Sequence, residues 1–448
     1  MTFTKRLKTH AYPISKNSPS AANRQHCPEI TQPDFYSATH PPNRRDSCSN
    51  RVFSVLLGII CVALGTASAN AQKPGILVPA GFRVDHYADD DLAHDICSLT
   101  IDSKGRVVVS GPGYVRILID SDNDGKADTF TQFADGPVAG AQGMHFMGPH
   151  LICTGDEGLV IYYDNDADDK ADGPPTTILK IKSGNEHDVH SIQRGPDGWW
   201  YIIAGNMADV DASYAKLATS PIKNPTAGVL MRLRPDFFEG EIVADGLRNA
   251  YDFAFNPAGD LFTFDSDGER DVSLPWYQPC RVIQLTPRSN AGWVSRSWKR
   301  PGYFPDMPPV IADFGRGSPT GVACYRHVQF PSRYDGALFV LDWTFGRVLA
   351  ISMTEEDGLW KSTPAVFAKG TGNFGFAPTD AEVAADGSLF VSVGGRGSRG
   401  SVFRFVYAEN EQRLAPQLAD GATAVESLNF VLGMPQPQSS WSLARWQP

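Results

Sequence analysis

The residues whose types and spacing could do chemistry begin in the stretch Glu186–Gly205, EHDVHSIQRGPDGWWYIIAG. An imidazole, with its pKa near neutrality, can take a proton from a bound alcohol. His187, eight residues before Gly195-Pro196-Asp197, is a candidate general base, and His190 would orient it or line the same channel. The alternative is a loop histidine bonded to Asp188 or to backbone. Arg248 and Asn249, in Gly246-Leu-Arg-Asn, form a second candidate. A planar guanidinium fork suits carboxylates or oxyanions; its other use is to brace neighbouring sheets. The third is the loop Asp265-Ser-Asp-Gly-Glu-Arg-Asp271. Asp265, Asp267, Glu269 and Asp271 concentrate hard oxygen ligands of the kind Ca²⁺ takes, unless Arg270 balances a solvated acidic turn.

Two further acidic segments share one pattern. Asp120, Asp122, Asp124 and Asp128 fall at positions 1, 3, 5 and 9 of a loop with Gly125 at position 6. That resembles an EF-hand calcium loop, except that Thr131 stands where the bidentate acid belongs. A second copy starts 44 residues later with Asp164, Asp166, Asp168 and Asp172, and has Asp169 in place of the glycine. Recurrence after an outer strand predicts calcium-clamped rim loops that stabilise rather than catalyse, with solvated acidic turns as the alternative.

These residues need strands to position them. Gly195-Pro-Asp-Gly198 is a tight-turn signal between two apolar runs, because proline presets φ and glycine accepts positive φ, so the pair reads as a hairpin. Similar units recur over Cys97–Asp120, Gly143–Asp164, His190–Gly205 (with a delayed strand at Gly228–Arg234), Asn249–Thr286, Pro319–Met353 and Pro378–Tyr407. No stretch carries sustained helical periodicity. Radial repetition of small sheets protects strand edges. The prediction is all-β: a six-bladed β-propeller over residues 75–408, closed by Arg83–Tyr87 pairing with the last blade. A pair of β-sandwiches is the rival.

Residues 1–50 are polar and without apolar periodicity, and read as a disordered leader or a mis-assigned start. Arg51, the apolar run Val52–Leu64 and the small residues ending at Ala69-Asn70-Ala71 read as a signal peptide over 51–71, which predicts a periplasmic or extracellular chain that does not span the membrane once processed. The first 71 residues carry eight basic and three acidic side chains, so the rest holds 32 against 47 and a net charge of −15. That acidity argues against nucleic acid as a partner. Cys97, Cys153, Cys280 and Cys324 remain; export permits disulfides, and the pairing stays open. Residues 409–448 read as a linker-like tail.

Taken together, GPDGWWYIIAG, GLRNAYDFAFNPAGDLFTFDSD, NAGW, GSPTGVACYRHVQFP and DGSLFVSVGG resemble the soluble glucose/sorbosone dehydrogenase superfamily of quinoprotein propellers. FDSDGERDVSLPWYQPCRV, GRGSPTG, LDWTFGR and GGRGSRGSVFRF look more like the propeller module of planctomycete-type membrane-bound dehydrogenase-like proteins. The resemblance implies an exported dehydrogenase that oxidises a sugar or polyol, with hydride passing to pyrroloquinoline quinone. It implies His187 as base, Arg248 and Asn249 at the cofactor, the 265–271 loop holding calcium beneath it, and a c-type cytochrome as acceptor. The chain departs from the family where further basic residues are expected in the fifth and sixth blades. Arg347, Arg396 and Arg399 are the available substitutes, and Trp343 is a candidate for stacking a sugar. A non-catalytic propeller presenting its loops to a glycan or protein, and a calcium-dependent lactonase-type hydrolase, are the alternative functions.

Overall fold

The computed structural model describes residues 75–293, 299–372, 375–408 and 423. The leader and signal peptide expected over 1–71 lie outside the described residues, as does the expected tail apart from Thr423.

The regular elements among the described residues are strands and three short 3₁₀ turns, and the strands form six antiparallel sheets arranged as a propeller. Blade 1 runs outward through Ser98–Ile101, Val107–Gly111, Tyr114–Ile119 and Thr129–Ala134. Blade 2 comprises Met144–Met147, His150–Gly155, Gly158–Tyr162 and Thr176–Lys180. Blade 3 comprises Val189–Arg194, Trp200–Ala204, Gly228–Leu233 and Gly240–Leu247. Blade 4 comprises Phe253–Phe255, Leu261–Asp265, Arg281–Leu285 and Val310–Asp313. Blade 5 comprises Pro319–Cys324, Leu338–Asp342, Arg347–Glu356 and Leu359–Gly370, with Ile76–Leu77 added at its outer edge. Blade 6 comprises Pro378–Val383, Leu389–Val393 and Ser401–Tyr407, and takes its outermost strand, Phe82–Ala88, from the other end of the chain. The closure expected of Arg83–Tyr87 is therefore present, with Val84 opposite Phe405.

Local chemistry explains the repeat. After a blade's first strand, a short polar side chain accepts backbone N–H groups ahead of it while glycine supplies the left-handed turn residue. Asp102 Oδ1 accepts from Lys104 N at 2.9 Å and Arg106 N at 2.8 Å, with Gly105 at φ +86°. Asp386 Oδ1 accepts from Ser388 N at 2.9 Å in the same way. The expected Gly195–Gly198 hairpin forms, with Gly195 N bonded to Trp199 O at 2.8 Å. Between blades the facing side chains are buried: Val108, Ile117 and Phe133 of blade 1 pack with Phe146, Leu151 and Tyr162 of blade 2. Each fully buried side chain of this kind contributes about 1.5–3 kcal/mol. At the closing seam, Phe82 meets Phe330 and Phe367 edge-on at centroid distances of 4.8 and 4.9 Å.

The four cysteines stand in different parts of the ring and are all free thiols. No helix among the described residues is long and apolar enough to cross a membrane.

The first strands surround the axis and are bonded to each other through side chains. Leu99 N of blade 1 donates to Asp380 Oδ2 of blade 6 at 2.9 Å, and Val322 N of blade 5 donates to Asp252 Oδ2, just before blade 4, at 2.8 Å. The lower channel encloses only about 70 Å³, with Asp252, Asp380, Glu382, His145 and Arg326 on its wall. So little space solvates charge poorly. Burial raises the pKa of Asp252 and Asp380, their mutual repulsion adding to the rise, and pushes Glu382 up to about 8. Burial pushes His145 down to about 4, so it is neutral.

A raised carboxyl pKa is a stability statement. Between the ordinary value of 4.5 and about 8, the unfolded chain ionises Glu382 while the fold keeps it protonated. Its contribution is thus whole below pH 4.5 and lost as pH rises to about 8. Glu382→Gln should raise the thermal midpoint more at pH 8 than at pH 5. Calorimetric scans showing the same difference at both pH values would mean that Glu382 is ionised in the fold.

Candidate site at the mouth of the central channel

Strands of an antiparallel blade alternate in direction, so loops joining second to third strands emerge at the same end as those leading into the next blade. At that end, loops from the whole ring enclose a cavity of about 300 Å³. Arg248, Asn249, Arg396 and Trp343 are on its wall, together with Asp95, Gln142, Glu186, Tyr251 and Glu269.

Arg248 and Asn249 are held there by Asp265. Asp265 ends blade 4's second strand and is 3% exposed. Its carboxyl accepts from Arg248 N at 2.9 Å, Asn249 N at 2.8 Å and Ser266 N at 2.9 Å. Asp265, expected as a calcium ligand, thus already accepts three backbone N–H groups. The rest of the quartet is dispersed as well. Lys299 pairs with Asp267 and lies 2.6 Å from Asp271, and Glu269 lies 3.5 Å from Arg248 Nη2. A lysine and an arginine thus balance the acids that the sequence presented as a cage.

The rim loops behave differently. Among the described residues, groups of three carboxylates with ligand atoms within 4.8 Å of one another are Asp120, Asp122 and Asp124, and Asp164, Asp166 and Asp172. Asp128 is not in the first group; it closes that loop by accepting from Ser121 N at 2.9 Å and Ser121 Oγ at 2.6 Å. Asp168 is not in the second; it accepts from Lys170 N at 3.0 Å. Asn123 and Ala167 both have φ +59°, so the recurrence is conformational as well as sequential. Asp169 pairs with Lys104 and Arg106 of blade 1, each at 2.7 Å. These loops join third to fourth strands, and so lie at the end of the ring opposite the cavity.

His187 stands beside the cavity rather than on its wall. Asn206, just past the hairpin's second strand, meets His187 Nδ1 at 2.6 Å. The amide orientation that satisfies its neighbours donates to His187 Nδ1 and to Arg248 O at 2.8 Å, and accepts from Trp293 Nε1 at 3.1 Å. In a neutral imidazole this makes Nδ1 the acceptor and leaves the proton on Nε2. A base acting through Nε2 needs the opposite amide orientation. His190 lies behind Asn249, with Nε2 3.0 Å from its Oδ1, and stacks on Tyr251 at 3.9 Å. Burial pushes His190 down to about 4, which keeps it neutral.

Arg347 is not at the cavity. Expected at the cofactor, it pairs with the fully buried Asp342 at 2.9 Å on blade 5. Arg396 reaches over Trp343 at 5.3 Å and bonds Glu186 Oε1 at 2.6 Å, joining blade 6 to the loop before blade 3 on the opposite side of the ring. Sequence reasoning missed Asp95, Tyr251, Glu186 and Asn206. The last two flank or belong to the stretch that contains His187; Asp95 carries no motif.

The family described as "Domain of unknown function (DUF7133)" matches residues 68–392. A search of curated proteins finds no match. Among solved structures, the PQQ-bound aldose sugar dehydrogenase of Streptomyces coelicolor is 17% identical, with 73% of this chain and 100% of that chain covered at a TM-score of 0.51. The holo PQQ domain of pyranose dehydrogenase from Coprinopsis cinerea is 14% identical, with 75% and 97% covered at 0.54. The calcium structure of a Trichoderma reesei family AA12 carbohydrate-active enzyme is 13% identical, with 76% and 99% covered at 0.56. The chain therefore has the propeller fold of the sugar dehydrogenases, as the sequence motifs implied.

Removing the Asp265 carboxyl leaves three backbone donors without their acceptor. Asp265→Ala should cost about 2–5 kcal/mol in urea unfolding, with Asp265→Asn at the lower end. A loss below about 0.5 kcal/mol for Asp265→Ala, the range of ordinary surface substitutions, would show that the Arg248–Asn249 loop is held by something else.

Proposed function

We propose, for a chain that belongs to the DUF7133 family, that the channel mouth binds a sugar or polyol. The observation that carries the reading is the composition of the cavity wall. The wall includes Ser266, Ser318, Thr320, Thr379, Asn249 and Gln142 together with Trp343 and Tyr251. Such a wall offers hydrogen bonds to hydroxyls and a flat apolar face to a sugar ring. Structural neighbours that act on aldoses and pyranoses support it.

The residues present do not fit the expected quinone. Pyrroloquinoline quinone is a tricarboxylate, and the wall carries Asp95, Glu186 and Glu269 against only Arg248 and Arg396. Both guanidiniums are already paired with acids of the same wall. The buried Arg248 Nε, which has no partner, could take one acceptor, but not a whole polyanion. Oxidation of a bound hydroxyl, with His187 as base and a c-type cytochrome as final acceptor, is the second reading. It is favoured by structural neighbours that are PQQ-containing sugar dehydrogenases, and it requires the Asn206 amide orientation in which His187 Nδ1–H donates to Asn206 Oδ1 and Nε2 is free to accept a proton.

Calcium suits the two rim loops, whose donors are all carboxylate oxygens. There it would tie each loop to its blade. It would take no part in events at the other end of the channel.

Two measurements test this. Calorimetric titration of the mature chain with neutral sugars and polyols should show saturable binding, and dye reduction should not respond to added quinone and Ca²⁺. Absence of binding to any sugar would sink the binding reading. Quinone-dependent, sugar-dependent dye reduction that falls about 10²–10⁴-fold in His187→Ala would establish the second reading instead. Separately, Ca²⁺ at a hundredfold excess over its Kd should add about 2.7 kcal/mol per rim site. The resulting rise in thermal midpoint should shrink in Asp122→Asn and in Asp166→Asn. No response to Ca²⁺ or chelator would show that both loops are solvated turns.

A further inference from the structure

The charges around the cavity do not cancel. Arg396 is matched by Glu186 at 2.6 Å and Arg248 by Glu269 at 3.5 Å. Asp95 is left over. It lies between the closing strand Phe82–Ala88 and the first strand of blade 1, and is 7% exposed. Its Oδ1 is shut off from solvent and has no hydrogen-bond partner. Its backbone is in the left-handed region at φ +52°, a conformation that non-glycine residues adopt at some cost.

The groups around Asp95 do not neutralise it. Burial pushes the neighbouring Cys97 thiol up to about 11, so it carries no charge. His94 turns to Asp90 at 2.7 Å, and Arg116 donates to Leu92 O at 2.7 Å. The Tyr114 hydroxyl donates to His94 O at 2.6 Å. A carboxyl buried without a donor is costly until something supplies one. A sugar hydroxyl supplies a single neutral donor. An ammonium supplies several donors together with the opposite charge, and charge-assisted hydrogen bonds are the strong ones.

We propose that Asp95 anchors an ammonium group, so that the cavity's ligand is an amino-substituted sugar or polyol. The inference rests on the reading of this cavity as a sugar site and adds the charge its ligand carries. Asp95 is a wall residue of the same cavity as those hydroxyls and amides, so one molecule held there lies beside both; taking up the ammonium requires the carboxyl to turn, because Oδ1 is closed off from solvent. A divalent cation is the competing occupant. It would want several carboxylates together, and among the described residues such groups lie in the rim loops, not at Asp95.

The test is a calorimetric comparison of glucosamine, N-acetylglucosamine and glucose near pH 6, below the ordinary amine range. Wild-type protein should bind glucosamine about 10–100-fold more tightly than either uncharged sugar, the gain expected of a charged hydrogen bond. Asp95→Asn should bring glucosamine down to the level at which that variant binds glucose. The same variant should melt at or above the wild-type temperature, because it replaces a buried carboxyl group whose Oδ1 has no donor. Equal binding of all three sugars by the wild type would overturn the anchoring role while leaving the sugar site standing. Binding of none would overturn both. Retained preference in Asp95→Asn, displacement of glucosamine by Ca²⁺, or marked destabilisation of Asp95→Asn would also overturn it. The acetylated sugar makes the comparison on unaltered protein, so the outcome does not depend on the variant folding.

Discussion

The structure depends on buried aspartates that hold backbone N–H groups. At the axis, Asp252 and Asp380 each take an amide from the neighbouring blade, so adjacent sheets share a hydrogen bond where no ladder can run between them. At the upper end, Asp265 holds the loop that presents Arg248 and Asn249. Asp245 does the same for Thr226 and Ala227. Asp102 closes a turn at the lower end. A propeller has many short strands and therefore many strand ends whose donors need acceptors away from water. Carboxyl groups meet that need, because each offers oxygens with several lone-pair sites. Much of this chain's acidity is therefore structural.

The same use of aspartate explains which parts of the molecule the sequence disclosed. Turn chemistry and strand alternation are local, so the six units, the hairpin at Gly195–Gly198 and the closing strand could all be read from neighbouring residues. The rim loops were readable too, since Asp120, Asp122 and Asp124 sit within one turn of chain. Function at the channel mouth was not local. Whether Asp267 and Asp271 face a metal or an ammonium depends on Lys299, which arrives from a later loop. The family motifs carried the fold correctly. For the site, a motif records residue types and not the partners that occupy them.

At the channel mouth, positive charge is balanced by pairs of side chains from different loops. Each guanidinium that might neutralise a cofactor is matched by a carboxylate from another blade. Arg396 and Glu186 span the ring, and Arg248 and Glu269 lie on adjoining loops. These pairs are partly exposed, so each adds little to stability. Their larger effect is to set the net charge seen by an incoming molecule, and that sum decides which ligands can be desolvated here. Fold and specificity thus rest on different residues: buried hydrophobic faces for the first, a few polar side chains on loops for the second.

The seam of the ring has a consequence for how the chain matures. Phe82–Ala88 is synthesised early, yet its hydrogen-bonding partner Ser401–Tyr407 comes almost last. Until that partner is made, the early strand keeps an unsatisfied edge and Phe82 lacks much of its aromatic pocket. Ordering is therefore slow and non-local, since an almost full-length loop must close before the last blade is complete. Transplanting the early strand to follow Tyr407 would turn this distant pairing into a hairpin and leave the finished ring with the same contacts. The native order makes completion of the circle a report that the final blade has been delivered.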